Sequence, residues 1–176
     1  MLKPVYTLGY GGRSLEEFIE ILKHYGVEVV IDVRRWNSSM KLPVFNGSNL
    51  ETILRSLGLT YMWMPDLGGF RKFNVDVEDY GLATCFESDG FRAYATYIIM
   101  KMDVKPLLHM LLDVSSKRTI VLMCRERIPW FCHRKILSDY LVAKGFKVLH
   151  IISKDRVIEH KLSKCARVLN GELTYV

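Results

Sequence analysis

Hydrophobic positions along the chain follow two alternating patterns. Unbroken apolar runs of strand length, such as Thr119–Met123, are typical of strands covered on both faces. Between these runs apolar residues recur at helical spacing, as Ile136, Leu137, Tyr140 and Leu141 do. The predicted strands are Pro4–Leu8, Val27–Val33, Leu59–Met64, Thr119–Met123 and Lys147–Ile152, and the predicted helices are Ser14–Tyr25, Asn49–Ser56, Phe91–Met102, Pro106–Val114 and Phe131–Lys144.

This order of elements predicts an α/β fold. Strands that alternate with helices pair in parallel, because parallel neighbours need a crossover connection. We therefore expect a three-layer sandwich with a mostly parallel central sheet and helices on both faces. Val27–Val33 and Thr119–Met123 lack polar alternation, which predicts that both lie in the interior of the sheet.

Shorter signals refine this prediction. Ser14 with Glu17, and Ser48 with Glu51, have the spacing of a capping box, which marks two helix starts. Val157 opens a short apolar run after a turn, which predicts an extra strand at the edge of the sheet.

Composition narrows the class of protein. The 176 residues fit a single domain, 1–176, and 49% hydrophobic with 25% charged residues is ordinary for a globular protein. The apolar runs are too short for a membrane span and no signal peptide is evident, so we expect a cytoplasmic protein without a membrane partner. A net charge of +6 favours anionic partners, including nucleic acid, and the alternative is a solvated basic surface without such a role. The oligomeric state stays open.

The four cysteines have irregular spacings, unlike a secreted disulfide framework. Thiols, thiolates or metal ligands are therefore the first interpretation. The chain contains no glutamine, which favours a thermophilic source, and in such an organism an intracellular disulfide stays open as an alternative.

The segment from Cys124 to Arg134 carries the strongest candidate chemistry, because it joins a buried strand to a helix. Backbone N–H groups and the helix dipole favour negative charge at such a junction. We predict Cys124, Glu126, Cys132 and His133 as catalytic residues, with Cys132 a thiolate in the first turn of the helix and Arg134 holding an anion. The alternative is that both cysteines are small apolar residues of the core.

Other chemistry for this segment is less well supported. The phosphatase and rhodanese pattern needs arginine six positions after cysteine, where this chain has tryptophan. The predicted site includes no metal, although a metal bound by some of Cys124, Cys132, His133, His150 and His160 is an alternative. The sequence identifies no cofactor.

Further candidate anion-binding residues follow the other predicted strands. Gly11 lies in a glycine-rich turn after the first strand, and Arg71 lies in a long loop. Asp32 and Arg34 end the second strand, where a charge pair is either part of a site or a buried structural pair. A dinucleotide fingerprint is incomplete, because its third glycine position holds Ser14. Parallel topology predicts that one crevice is approached by Gly11, Asp32, Arg34, Arg71, Glu126 and His133.

Taken together, these pieces resemble a known prokaryotic family, the domain of unknown function family 488. The resemblance implies a compact α/β domain of bacteria and archaea, and it supplies no reaction. Where the family commonly has histidine and serine after the first glycine, this chain has Tyr10 and Gly11. The matching residues are Thr7-Leu8-Gly9-Tyr10 with Ser14 and Phe18, Asp32-Val33-Arg34, Leu67-Gly68-Gly69 with Arg71, Phe91 with Tyr94-Ala95, Cys124 with Glu126, Cys132-His133-Arg134, His150-Ile151 and His160.

Two functional hypotheses follow. The first is a cytoplasmic enzyme that acts on an anionic, nucleotide-like or nucleic-acid-like substrate at the cysteine, glutamate, histidine and arginine crevice. The alternative is a non-catalytic module that binds a nucleotide or nucleic acid through the same basic crevice.

Overall fold

A computed structural model describes residues 2–176. Six strands form the main sheet, and two further strands form a hairpin near the C-terminus. The elements are β1 (Val5–Gly9), α1 (Leu15–His24), β2 (Val29–Asp32), α2 (Gly47–Ser56), β3 (Thr60–Trp63), α3 (Asp89–Met100), α4 (Lys105–Lys117), β4 (Ile120–Cys124), α5 (Arg134–Ala143), β5 (Val148–Ser153), β6 (Arg156–Glu159), β7 (Ala166–Leu169) and β8 (Glu172–Tyr175).

The main sheet has the order β3-β2-β4-β1-β5-β6. Every neighbouring pair is parallel except β5 and β6. The predicted α/β architecture is therefore confirmed, and so are the interior positions of β2 and β4. The extra edge strand is β6, which pairs antiparallel with β5.

Side chains alternate across the sheet between two hydrophobic cores. In β2, Val29 and Ile31 join the core that includes residues of α3, α4 and α5, whereas Val30 joins the core beneath α1 and α2. In β4, Leu122 and Cys124 face the first of these cores. The pleat of β4 thus directs Cys124 to the same face of the sheet as α5.

Two predicted helix starts have different outcomes. Ser14 accepts a hydrogen bond from the Glu17 amide at 3.1 Å, so it caps α1 as predicted. The second box, Ser48 with Glu51, is wrong, because α2 already begins at Gly47 and its N-cap side chain makes no capping bond.

The approach to α5 also differs from the prediction. Pro129–Phe131 forms a short 3₁₀ turn, and Cys132 follows it in an extended conformation with φ −131° and ψ 149°. The helix begins only at Arg134. The predicted place of Cys132 in the first turn of the helix is therefore wrong, because the turn that starts at Pro129 closes before the helix begins.

The cysteines divide into two pairs. Cys85 and Cys165 form a disulfide, so for these two the first interpretation as thiols or metal ligands is wrong. Cys124 and Cys132 are free and buried. No helix within residues 2–176 is long and apolar enough to cross a membrane.

Candidate functional site

The carboxyl ends of β1, β2 and β4 open onto one crevice, because these neighbouring strands run in the same direction. The crevice has a volume of about 610 Å³. A smaller cavity of about 200 Å³ shares Gly69, Glu126 and His133 with it and reaches Cys132. The large cavity is lined by residues that include Tyr10, Arg34, Trp36, Cys124, Glu126 and His133.

Two sulfur atoms and one imidazole meet at the floor of the crevice. His133 Nδ1 lies 3.7 Å from Cys132 Sγ and 4.0 Å from Cys124 Sγ. The three atoms all lie within 4.8 Å of one another, and all three residues are buried. We refer to Cys124, Cys132 and His133 as the Cys–His cluster.

The orientation of His133 is fixed from several sides. Its Nε2 lies 2.8 Å from the Val33 carbonyl oxygen, so Nε2 carries a hydrogen and donates it. The Tyr94 ring packs edge-on against the imidazole at 5.0 Å. A Cβ at Gly69 would lie 2.9 Å from Nδ1, so glycine there leaves room for the ring. Nδ1 is thereby held toward the two sulfur atoms.

Arg134 supplies positive charge behind the cluster. Only 1% of this side chain is exposed, and it forms no ion pair with a carboxylate of residues 2–176. Its Nε donates to Cys132 Sγ at 3.3 Å, Nη1 to Thr7 Oγ1 at 3.2 Å, and Nη2 to the Glu126 carbonyl. A buried guanidinium needs a counter-charge, and a Cys132 thiolate is the group that provides one.

The acid–base properties of the two cysteines agree with this assignment. Burial raises the pKa of Cys132, but the hydrogen bond with Cys124 and the charges of His133 and Arg134 outweigh it, so that the pKa is well below its ordinary value. The hydrogen bond with Cys132 and burial raise the pKa of Cys124. When nothing else is bound, Cys124 therefore keeps its proton and Cys132 is the thiolate.

A chain of buried hydrogen bonds leads away from Arg134. Asp139 can only accept, so His160 Nε2 donates to its Oδ1 at 2.8 Å. His150 Nε2 donates to His160 Nδ1 at 2.9 Å, and the Thr7 hydroxyl donates to His150 Nδ1 at 2.7 Å. Every donor has an acceptor when both imidazoles are neutral. The residues of this chain, which we call the buried relay, are Arg134, Thr7, His150, His160 and Asp139.

The far end of the buried relay is anchored firmly. The Tyr175 hydroxyl donates to Asp139 Oδ2 at 2.8 Å, and the Ser163 amide donates to Oδ1 at 3.0 Å. Burial, with smaller contributions from His160 and Arg134, lowers the pKa of His150 to about 3. His150 and His160 are hydrogen-bonded to each other and lie outside the Cys–His cluster. The alternative that they bind a metal together with Cys124, Cys132 and His133 therefore does not fit their positions.

Asp32 and Arg34 form a buried pair at the end of β2. Arg34 Nε and Nη2 bind the two Asp32 carboxylate oxygens at 2.9 and 2.7 Å, and Arg34 Nη1 lies 3.2 Å from the Tyr10 hydroxyl. The Tyr61 hydroxyl also donates to Asp32, at 2.5 Å, and burial next to that carboxylate raises the pKa of Tyr61. Arg34 reaches the cavity, whereas Asp32 lies beneath it.

Two predicted anion-binding residues have their polar groups engaged within the protein. The Gly11 amide donates to the Arg125 carbonyl at 2.8 Å. Arg71 donates to the carbonyls of Gly68 and Pro65 and to the Asp76 carboxylate. Neither residue lines the large cavity, so the crevice gathers only part of the predicted set.

Sequence reasoning missed the aromatic rim of the crevice. Trp36 and Phe70 are 61% and 71% exposed, and their ring centroids are 5.8 Å apart. The Arg35 guanidinium lies over the Trp36 ring at 5.1 Å. Both aromatic residues occupy loops without periodicity, and the only available signal was an aromatic residue beside arginine in each loop.

Sequence reasoning named Thr7 only as part of the family resemblance and did not single out Asp139. The available signal was that Thr7 is a polar residue within an apolar strand, whereas Asp139 follows Ser138 and had no comparable signal. Burial of such a residue requires a hydrogen-bonding partner, but the sequence does not say which residue provides it.

The fold and the site together define an α/β protein with a Cys–His cluster at the floor of a basic, aromatic crevice. The chain belongs to the family described as domain of unknown function DUF488, whose model matches residues 14–141. The resemblance found in the sequence is thereby confirmed. No curated protein and no solved structure matches the chain.

Proposed function

We propose that the protein is a cytoplasmic enzyme that acts on an anionic, nucleotide-like substrate bound in the crevice. One observation carries the proposal: a single cavity joins a cationic, aromatic rim to a floor made of Cys124, Glu126 and His133. A binding surface for a planar anion thus leads directly to groups that can transfer protons or react.

The rim suits a base and its phosphate. Trp36 and Phe70 offer exposed ring faces, while Arg35 and Arg125 line the same cavity. Stacking of a base on an aromatic side chain contributes about 1–3 kcal/mol. Phe70 has φ +60°, an unusual conformation for a bulky side chain, and such strain is often found at ligand-binding positions.

The floor suits acid–base chemistry. Glu126 is half-buried, and its Oε2 lies 3.8 Å from Cys124 Sγ. We assign Glu126 as the proton carrier and the Cys–His cluster as the remaining catalytic groups. We assign Arg34 as the anion-binding arginine because it lines the cavity and Nη1 has a second hydrogen besides the one directed at Tyr10. Arg134 is a positioning residue in this proposal, because it does not line the cavity and its donors are used within the protein.

A turnover and binding experiment tests this function. Purified protein is incubated with a panel of nucleotides, products are identified by mass spectrometry, and affinities are measured by calorimetry. We expect W36A to weaken binding about 5- to 150-fold, which corresponds to the loss of one stacked base. The matched control W130A replaces another exposed tryptophan outside the cavity and should bind like the wild type.

Glu126 is tested with the same substrates. E126Q should keep the affinity within about threefold but lower kcat about 10²-fold or more, because it removes a proton carrier. E51Q, which changes an exposed glutamate of α2, is the control. The proposal fails if no nucleotide is altered, or if W36A and W130A bind alike.

A non-catalytic module for single-stranded nucleic acid is the second candidate. The exposed rings of Trp36 and Phe70 beside Arg35 favour this function. Aromatic side chains next to positive charge stack successive bases without sequence specificity. This function predicts tight binding of oligonucleotides that weakens steeply with salt and is unchanged in E126Q. Turnover of any nucleotide that depends on Glu126 would exclude it.

A further inference from the structure

We propose that the Cys–His cluster binds a zinc ion and leaves its fourth coordination position open to the crevice, facing Glu126. The proposal deepens the proposed function, because it gives both sulfur atoms a role as ligands in place of the nucleophile that the sequence predicts for Cys132. Metal binding itself depends only on the cluster and can be measured without any substrate.

The spacing of the three ligand atoms suits a tetrahedral ion. Zinc bonds of 2.3 Å to sulfur and 2.0–2.1 Å to nitrogen place tetrahedral ligands about 3.6–3.8 Å apart. His133 Nδ1 lies 3.7 Å from Cys132 Sγ and 4.0 Å from Cys124 Sγ. The two sulfur atoms lie within 4.8 Å of each other, so side-chain shifts of at most about 1 Å would complete the geometry.

The imidazole is already turned for coordination. His133 Nε2 donates to the Val33 carbonyl, so once the ring is neutral, as coordination to a metal requires, its lone pair is on Nδ1, on the side of the two sulfur atoms. Apart from those sulfur atoms Nδ1 has no hydrogen-bonding partner among residues 2–176. A hydrogen bond from the second ring nitrogen to a carbonyl is the usual support of a metal-binding histidine.

The charges in the cluster also balance around a divalent ion. Two thiolates and the Glu126 carboxylate contribute three negative charges. Zinc and the buried Arg134 guanidinium contribute three positive charges. Arg134 donates to Cys132 Sγ at 3.3 Å, which orients a thiolate ligand.

The fourth position is accessible. Cys124, Glu126 and His133 line the large cavity, and Cys132, Glu126 and His133 line the small one, so the cluster lies between the two. Three protein ligands and one open position are typical of catalytic rather than structural zinc. Two thiolates and an imidazole favour zinc over magnesium or calcium, which prefer oxygen ligands.

An ion at this place would supply a nucleophile for the proposed enzyme. A zinc-bound water has a pKa lowered to about 7. Its oxygen would bond to the electrophilic atom of the substrate, Glu126 would accept the proton, and the leaving group would depart with that proton. The reaction class is hydrolysis, which needs water as the only co-reactant.

The test measures metal binding by the intact protein. Protein freed of metal is titrated with zinc alone and with cobalt alone, and bound metal is measured by mass spectrometry after dialysis. We expect one ion per chain and a thiolate-to-cobalt charge-transfer band. Zinc should also protect Cys124 and Cys132 of the wild type from alkylation, a measurement that needs no variant.

Variants then identify the ligands. C132S and H133Q should weaken zinc affinity about 100-fold or more, because each removes a residue that binds the metal directly. Even the loss of a residue that only supports a ligand lowers metal affinity about 10- to 100-fold. H24Q, at an exposed histidine, should bind like the wild type. E126Q should retain one ion per chain, because Glu126 faces the open position.

Several results would overturn the site. These are fewer than about 0.1 ions per folded chain, cobalt binding without the thiolate band, or alkylation that zinc does not slow. Loss of the ion in E126Q would overturn the open fourth position. If zinc binds but no nucleotide does, the proposed function fails while the metal site stands.

Discussion

His150 shows how one buried side chain couples the fold to the candidate site. Its ring accepts from Thr7 and donates to His160, and the same Thr7 hydroxyl accepts from Arg134. Burial lowers the pKa of His150 to about 3. The charged or titratable groups that face it are His160, Arg134 and Cys132, with Asp139 one hydrogen bond beyond.

This arrangement predicts a loss of stability in mild acid. Below pH 6.5 the unfolded chain binds a proton at His150 that the folded chain does not bind until about pH 3. The free energy of unfolding should therefore fall by up to about 1.4 kcal/mol for each pH unit below 6.5. Urea unfolding at pH 7 and pH 5 measures this change.

A variant isolates the contribution of His150. H150N should lose about 2 kcal/mol less stability than the wild type between pH 7 and pH 5. H109N, at an exposed histidine of α4, should keep the wild-type dependence. Parallel pH profiles of the wild type and H150N would contradict the prediction. If H150N does not fold, a His150 imidazole that titrates near pH 6.5 in the wild type would contradict it as well.

At the scale of elements, the loop after β4 packs tightly against the end of β1. Hydrogen bonds run from the Tyr10 amide to the Cys124 carbonyl and from the Gly11 amide to the Arg125 carbonyl. A Cβ at Gly9 would lie 1.9 Å from the Glu126 carbonyl oxygen. The glycines of this turn therefore serve close backbone approach, which sets the position of Glu126 in the crevice.

Replacing Gly9 tests this packing. G9A should destabilise the protein by roughly 3 kcal/mol or more, because its Cβ meets backbone atoms that cannot move independently. G90A is the control, since its Cβ would lie 3.4 Å from the Ser88 hydroxyl and alanine suits the first turn of α3. Urea unfolding compares the two variants. Similar stability of G9A and G90A would show that the turn is not tightly packed.

At the scale of the whole molecule, the disulfide and the C-terminal hairpin close the fold. Cys85 in the long loop before α3 is bonded to Cys165 just before β7, across a separation of 80 residues. The Val176 amide then donates to the Cys165 carbonyl, and Tyr175 is buried against the first core. These contacts attach the loop before α3 to the C-terminal hairpin. They also keep the Tyr175 hydroxyl in hydrogen-bonding contact with Asp139.

Removal of the disulfide should destabilise the whole fold. A closed loop of this length restricts the unfolded chain by roughly 4 kcal/mol. The free energy of unfolding of the double variant C85S/C165S, measured in urea, should be about 2–4 kcal/mol lower than that of the wild type. A reductant should lower the stability of the wild type by the same amount. The variant itself should not respond to reductant. Four free thiols in the non-reduced wild type would contradict the assignment.

The elements and their arrangement in outline follow from the sequence alone. The runs Val27–Val33 and Thr119–Met123 lack polar alternation, a local pattern that predicts burial on both faces directly. The parallel order of elements then places the loops after β1, β2 and β4 on one edge. For that reason the sequence alone predicts Arg34, Glu126 and His133 in one crevice.

Which polar groups face each other depends on how the helices pack on the sheet. The partners of Arg134, the contact between Asp139 and His160, and the bond between Cys85 and Cys165 all join segments distant in sequence. Local periodicity carries no information on such pairs, because packing of the helices on the sheet determines them. The sequence thus located the chemistry at one edge, and packing decided that a guanidinium, two thiols and an imidazole meet there.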